Sequence, residues 1–179
     1  MSFLDLIVVR HAQAVEGSFS MNDSERRLTP QGERDASALG RLRRQLHLPE
    51  PQIVFTSGYE RAEQTLERVL EGLVLNVVRD MSFSPEGSVA GAWELIKKQT
   101  SQAERSESVV AWVFGHNPNI ERLLALIAPD LAQFLRPFRK ATLAWLRISE
   151  PPGHGREVQL VTYIPSLRAG RTKNSLSDL

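Results

Sequence analysis

The stretch Leu4-Asp5-Leu6-Ile7-Val8-Val9-Arg10-His11-Ala12 decides how the chain is read. It is a short, nearly continuous apolar run, rich in β-branched residues, that stops abruptly at Arg-His. Such a run reads as a buried strand and is too short for a membrane helix. In open α/β sheets, ligands bind just beyond the carboxyl ends of the strands. Arg10 and His11 fall at that place. Taken alone, a basic pair that merely ends a strand is the plainer interpretation.

Outward from this strand, the chain alternates apolar runs with amphipathic segments. Thr29-Pro30 opens a helix, with Thr29 as its cap and Pro30 at its first position. Ala36, Leu39, Gly40, Leu42 and Leu46 form its apolar stripe, and Arg41, Arg43 and Arg44 read as its solvated face. His47 near its end gains from the helix dipole and receives no catalytic role. A second strand is expected over Gln52–Ser57, and after Gly58 a helix from about Tyr59 to Gly72. Arg61 falls in the first turn of that helix, where a cation is disfavoured unless an anion is nearby. Val74–Val78 is a candidate third strand, followed by the loop Pro85-Glu86-Gly87 and a helix over Ser88–Lys98. Val109–Phe114 is another buried strand, ending in Gly115-His116-Asn117-Pro118. Asn117 or Asn119 is expected to cap the next helix, whose free N–H groups attract phosphate. Ala141–Ile148 and Glu157–Ile164 read as an antiparallel pair around the Pro151–Gly155 turn, with His154 in solvent.

Alternating strands and helices imply an α/β fold: three α/β/α layers around a mixed, mainly parallel sheet with Leu4–Val9 at its centre. Residues 1–165 read as a single domain and 166–179 as a flexible polar tail. The 179 residues carry 22 Lys+Arg against 21 Asp+Glu, a net charge of +1, so no global charge points to nucleic acid or to an anionic membrane. Cysteine is absent, which excludes disulfides and thiolate chemistry. No secretory leader and no long uncharged apolar segment is read, and the expected location is cytoplasmic.

Three separated motifs come together as one pattern: Arg10-His11, Arg61-Ala62-Glu63-Gln64-Thr65, and Gly115-His116-Asn117. In order and spacing they resemble the histidine phosphatase superfamily, the phosphoglycerate mutase-like fold, over roughly residues 4–150. The segment Asp23–Thr29 and the short connection before the second histidine resemble the bacterial SixA-type phosphohistidine phosphatases. Ala12 stands where the family usually has Gly, and Ser57-Gly58 where Ser-Pro is usual.

The resemblance implies covalent catalysis. His11 is the nucleophile, Arg10 and Arg61 clamp the phosphoryl oxygens, and a better protonated His116 donates to the transition state. Arg26 and Asn117 are further phosphate or substrate contacts. Asp23 is the favoured proton donor to the leaving group and Glu86 the alternative. No cofactor and no metal is implied. The expected partner is a phosphorylated protein, carrying phosphohistidine, or a small phosphorylated substrate. Two other functions are weighed: a phosphatase of a small phosphoester or polyphosphate, and a non-catalytic phosphate-binding regulatory module marked by Ala12.

Overall fold

Strand β1, Phe3–Arg10, lies in the interior of a six-stranded sheet of order β3-β2-β4-β1-β5-β6. This computed structural model describes residues 3–18, 21–101, 108–150 and 155–166, so His154 and all but the first residue of the expected tail lie outside it. The other strands are β2 (Ile53–Thr56), β3 (Val77–Arg79), β4 (Ser108–Gly115), β5 (Leu143–Ser149) and β6 (Glu157–Ile164). β1 pairs parallel with β4, and β2 pairs parallel with both β4 and β3. β5 pairs antiparallel with β1 and β6, which makes the sheet mixed. Helices α1 (Pro30–Gln45), α2 (Glu60–Val69), α3 (Val89–Ser101), α4 (Asn119–Ile127) and the short α5 (Pro129–Ala132) complete the fold.

Alternation along β1 sends Leu6 and Val8 to one face and Ile7 and Val9 to the other. Leu6 and Val8 join Trp93 and Ile96 of α3 and Leu123 and Ile127 of α4. Ile7 and Val9 join Leu39 of α1 and Leu66 and Val69 of α2. Both faces are thus covered, which is why the strand reads as a nearly continuous apolar run. Each fully buried Leu or Ile contributes about 1.5–3 kcal/mol. Asp5 interrupts the run at no cost in unmet polarity. Its carboxylate accepts from Arg147 at 2.9 and 3.0 Å and from Trp145 Nε1 at 2.9 Å, both on the neighbouring β5.

Helix α1 begins as its sequence dictates: Thr29 Oγ1 accepts from Gly32 N at 3.0 Å and Pro30 opens the first turn. It packs on α2 through Gly40, where an added Cβ would lie 2.6 Å from the Arg68 carbonyl oxygen. Only glycine allows that approach.

Several boundaries differ from expectation. The third strand is three residues at the sheet edge, and Val74 is fully exposed. Arg43 is buried, with Nε donating to the Val69 carbonyl at 3.2 Å, because it lies on the side of α1 that meets α2. Neither asparagine caps α4: Pro118 holds the cap position, and no side chain bonds there. Asn119 instead donates to the Ser84 and Gly87 carbonyls at 2.6 and 2.8 Å, tying α4 to the loop that carries Glu86.

Candidate active site

Because β1, β2 and β4 are mutually parallel, their carboxyl ends meet on one edge of the sheet. Arg10 and His11 leave β1 there, Ser57 leaves β2, and His116 leaves β4. A backbone bond from His11 N to the Gly115 carbonyl, 3.0 Å, locks two of these ends together. The His11 and His116 rings consequently stand 4.9 Å apart between centroids, tilted by 52°. Arg61 arrives from the first turn of α2. Charges of Arg10 and Arg61 both bear on His11 and on His116. The structure therefore brings Arg10, His11, Arg61 and His116 together.

His11 is buried, and its Nδ1 lies 2.7 Å from the Ala12 carbonyl oxygen. A carbonyl only accepts, so Nδ1 carries the ring proton and Nε2 keeps its lone pair. Burial lowers the His11 pKa well below its ordinary value; His116, Arg61 and Arg10 lower it further, and only the Ala12 carbonyl opposes them. The imidazole is neutral at physiological pH, as nucleophilic attack requires.

Ala12 itself is housed without strain. Its N–H donates to Thr65 Oγ1 at 3.0 Å, and it is buried with Leu28, Ala36 and Ala141 in a small apolar cluster. Its φ is not among the positive values of the backbone, so the turn does not require glycine. Gly58 does require its residue type: with φ of 76° it makes a left-handed turn closed to the family's usual proline.

His116 departs from expectation. Burial, with Arg61 second, pushes its pKa to about 3 in spite of the opposing charge of Asp23. It is neutral at physiological pH, and not the protonated donor expected. Its Nε2 lies 2.7 Å from Ser57 Oγ, which also accepts from Tyr59 N at 3.2 Å. With the Ser57 proton directed to Nε2, the ring N–H falls on Nδ1, which is buried and has no hydrogen-bond partner among the described residues. Such an orphan is costly unless a ligand meets it.

Asp23 sits on a short 3₁₀ turn, Asp23–Glu25. Its Oδ2 accepts from Arg61 Nη2 and its Oδ1 from Arg26 Nη1, each at 2.7 Å. Burial alone would raise its pKa, but bonds from Arg26 and Arg61 and their charges outweigh that and hold it below the ordinary value. An ionised carboxylate has no proton to donate, so these surroundings do not suit the expected acid role. Arg26 is likewise committed, to Asp23 and, through Nε, to the Val15 carbonyl at 2.8 Å. Asn117 is turned away from a substrate role, because its Nδ2 already donates to Glu121 at 2.6 Å and to the Phe138 carbonyl at 3.0 Å. Its remaining Oδ1 is an acceptor that repels phosphoryl oxygens. Glu86 is exposed, and its Oε2 accepts from the Tyr59 hydroxyl at 3.3 Å.

Three participants escaped the sequence pattern. Ser57 orients His116. Tyr59 packs edge-on to His116 at 5.2 Å and under the Arg61 guanidinium at 5.0 Å. The Phe138 carbonyl accepts from Arg10 Nη1 at 2.8 Å. For the first two a signal existed, since both follow the end of β2 on the edge that holds Arg10.

This fold and this edge define a histidine phosphatase. The model of the histidine phosphatase superfamily (branch 1) matches residues 6–135, and the chain belongs to that family. Among solved structures it is similar to the protein histidine phosphatase SixA complexed with tungstate, with 20% identity over 92% of this chain and 99% of that one and a TM-score of 0.75. It is also similar to a protein from Nakamurella multipartitia assigned as the phosphohistidine phosphatase SixA, with 25% identity over 93% and 98% of the chains and a TM-score of 0.73. A third, assigned likewise, from Agrobacterium tumefaciens, is 21% identical over 89% and 97%, with a TM-score of 0.73. No curated protein matches the sequence. Among the described residues no helix is long and apolar enough to cross a membrane.

Proposed function

We propose that the protein is a metal-independent phosphatase that carries the phosphoryl group on His11, and that its substrate is phosphohistidine on a partner protein. One observation carries the proposal: His11 is held as the Nδ1–H tautomer by the Ala12 carbonyl, with Nε2 unprotonated beside Arg10, Arg61 and a second histidine. In this mechanism Nε2 attacks phosphorus in line, and the bond to the leaving group breaks as the new N–P bond forms. Arg10 and Arg61 supply positive charge to the phosphoryl oxygens, and the His116 N–H adds a donor. Water then attacks the phosphoenzyme, releasing phosphate and restoring His11.

The leaving group favours phosphohistidine. An alkoxide needs a proton as it departs, whereas an imidazole makes far lighter demands. Asp23 is ionised by its arginines, and Glu86 lies on the exposed rim, bonded to Tyr59. The contact of Glu86 with Tyr59, which itself touches His116, supports the second reading: a small phosphoester protonated by Glu86. The non-catalytic alternative rested on Ala12, whose methyl is accommodated in its apolar cluster. The reading takes residues 1–165 as the working domain and carries the cytoplasmic, bacterial setting of SixA-type enzymes with it.

The test is a phosphoenzyme trap. The protein is mixed with a histidine-phosphorylated protein, quenched in base and mapped by mass spectrometry. Phosphate on His11, absent from the His11→Ala variant, is the expected result. Undiminished phosphate release by His11→Ala would overturn the mechanism.

A further inference from the structure

Arg61 is 3% exposed, yet two of its donors are taken by a single residue. Nη2 donates to the Asp23 carboxylate at 2.7 Å, and Nη1 donates to the Asp23 backbone carbonyl. A guanidinium grips carboxylate and phosphate with the same planar fork. The Asp23 charge also bears on His116 and on Tyr59. The carboxylate on Arg61 therefore lies close enough to His116 for its charge to act there.

We propose that Asp23 is the resident anion of the phosphate cage: its carboxylate holds the Arg61 donor that a phosphoryl group takes, and substrate enters by exchange with it. This rests on the phosphatase reading of the four cage residues and makes Asp23 a specificity-determining residue. The carboxylate side chain is 49% exposed, so it has somewhere to go. Arg26 Nη1 holds its other oxygen at 2.7 Å, and Arg26 is itself anchored to the Val15 carbonyl. On release by Arg61 the carboxylate keeps that second partner. Its removal from the cage requires an anion with more charge than its own. A phosphoryl dianion, drawn also by Arg10, meets the requirement. A carboxylate metabolite with a single charge does not.

Asp23 as a fixed support for Arg61 predicts the opposite sign, which makes the proposal testable by calorimetric titration with inorganic phosphate. The full-length wild type is compared with Asp23→Asn, Asp23→Ala and Arg61→Ala. The two Asp23 variants are expected to bind phosphate about 2- to 5-fold more tightly, the scale of a half-exposed ion pair. In turnover of p-nitrophenyl phosphate the gain falls on KM and not on kcat. Added acetate is expected to compete with phosphate more strongly in Asp23→Ala than in the wild type, because it refills the vacated seat. The acetate readout survives partial loss of stability in either variant, which thermal melting tracks. Unchanged or weaker phosphate binding in folded Asp23→Asn and Asp23→Ala overturns the resident-anion role and leaves the phosphatase reading intact. Full phosphate binding by Arg61→Ala overturns the cage itself, and with it both proposals.

Discussion

Ser57 Oγ lies 2.7 Å from Nε2 of His116 and at the same time accepts from the backbone N–H of Tyr59. The hydroxyl thereby passes the geometry of the β2–α2 turn on to the second histidine. Ser57→Ala removes a buried partner from a buried ring. Leaving such a group unmet costs about 1–3 kcal/mol, so kcat is expected to fall about 5- to 160-fold at that scale. Steady-state kinetics on p-nitrophenyl phosphate check this. Ser57→Thr, which keeps the hydroxyl, is expected to recover most of the loss. Full activity in Ser57→Ala would show that His116 needs no such anchor.

The acid side of catalysis separates the two substrate classes. If Glu86 protonates an alkoxide, Glu86→Gln slows alkyl phosphoesters by about 10²–10⁴-fold, the usual worth of a general acid. Phosphohistidine turnover is expected to change little. Tyr59→Phe, which removes the hydroxyl bonded to Glu86, is expected to follow in the same direction with a smaller effect. Equal losses on both substrates would remove Glu86 as a proton donor.

The pH dependence has a definite sign. Burial first, then its charged neighbours, lower the pKa of His11 well below 6.5, and burial with Arg61 brings His116 to about 3. The nucleophile stays neutral down to that depressed value, so the acid limb of kcat/KM is expected well below pH 6.5. Stability follows by linkage. Below 6.5 the unfolded chain takes up protons at these two histidines and the folded chain does not. Their contribution is complete above about pH 6.5 and is lost progressively as pH falls towards the folded values. Denaturant midpoints measured between pH 7.5 and 4 check this, and the double variant His11→Asn, His116→Asn is expected to flatten the slope.

Gly40 tests the contact between α1 and α2. The Cβ of Gly40→Ala would meet the Arg68 carbonyl oxygen at 2.6 Å and the Val69 carbonyl oxygen at 3.2 Å. Both are helix backbone and yield poorly. Overpacking of this kind costs about 1–3 kcal/mol, read as a lower Tm, because the penalty exceeds the gain in helix propensity. A variant as stable as the wild type would show that the helices slide apart freely.

Asp5 offers a different test of the core. Asp5→Ala leaves Arg147 and the Trp145 N–H without their acceptor in the middle of the sheet. A buried pair broken on one side costs about 3–5 kcal/mol, but Arg147 retains contact with water, with its side chain 39% exposed. The expected loss is therefore about 1–3 kcal/mol, below the fully buried figure. Chemical denaturation of Asp5→Ala and Asp5→Asn measures it.

The architecture was legible because its signals are local. A strand covered on both faces is largely apolar, and β1, β2 and β4 are, with Asp5 the one charged residue inside the run of β1. Arg61 and His116 were legible jointly: each alone reads as structural, and only their order and spacing after Arg10-His11 make the pattern. Other features left no such trace. Arg43 reads as solvated by its charge, and only the tight approach at Gly40 brings it under α2. The ionisation of Asp23 depends on Arg61, 38 positions away, and on a loop geometry that no periodicity encodes. Asn117 is of a residue type that suits phosphate, but its amide is held locally by Glu121, four residues on, and by the distant Phe138 carbonyl. The Phe138 carbonyl itself is a backbone group and has no signature in sequence.

That carbonyl, 128 positions after Arg10, sets an order of events during synthesis. β1 leaves the ribosome first, but its two hydrogen-bonding neighbours, Ser108–Gly115 and Leu143–Ser149, leave late. At about 5–20 residues per second, the interval between Arg10 and Phe138 lasts roughly 6–26 s. Until β4 has emerged this apolar strand has both edges open, and until β5 follows it still has one, the condition under which unpaired strands recruit one another. A polypeptide released near residue 135 would hold all four cage residues and still lack β5 and the oxygen that anchors Arg10. The catalytic edge is thus encoded by residue 116 and gains its last structural support only when Phe138 and β5 follow.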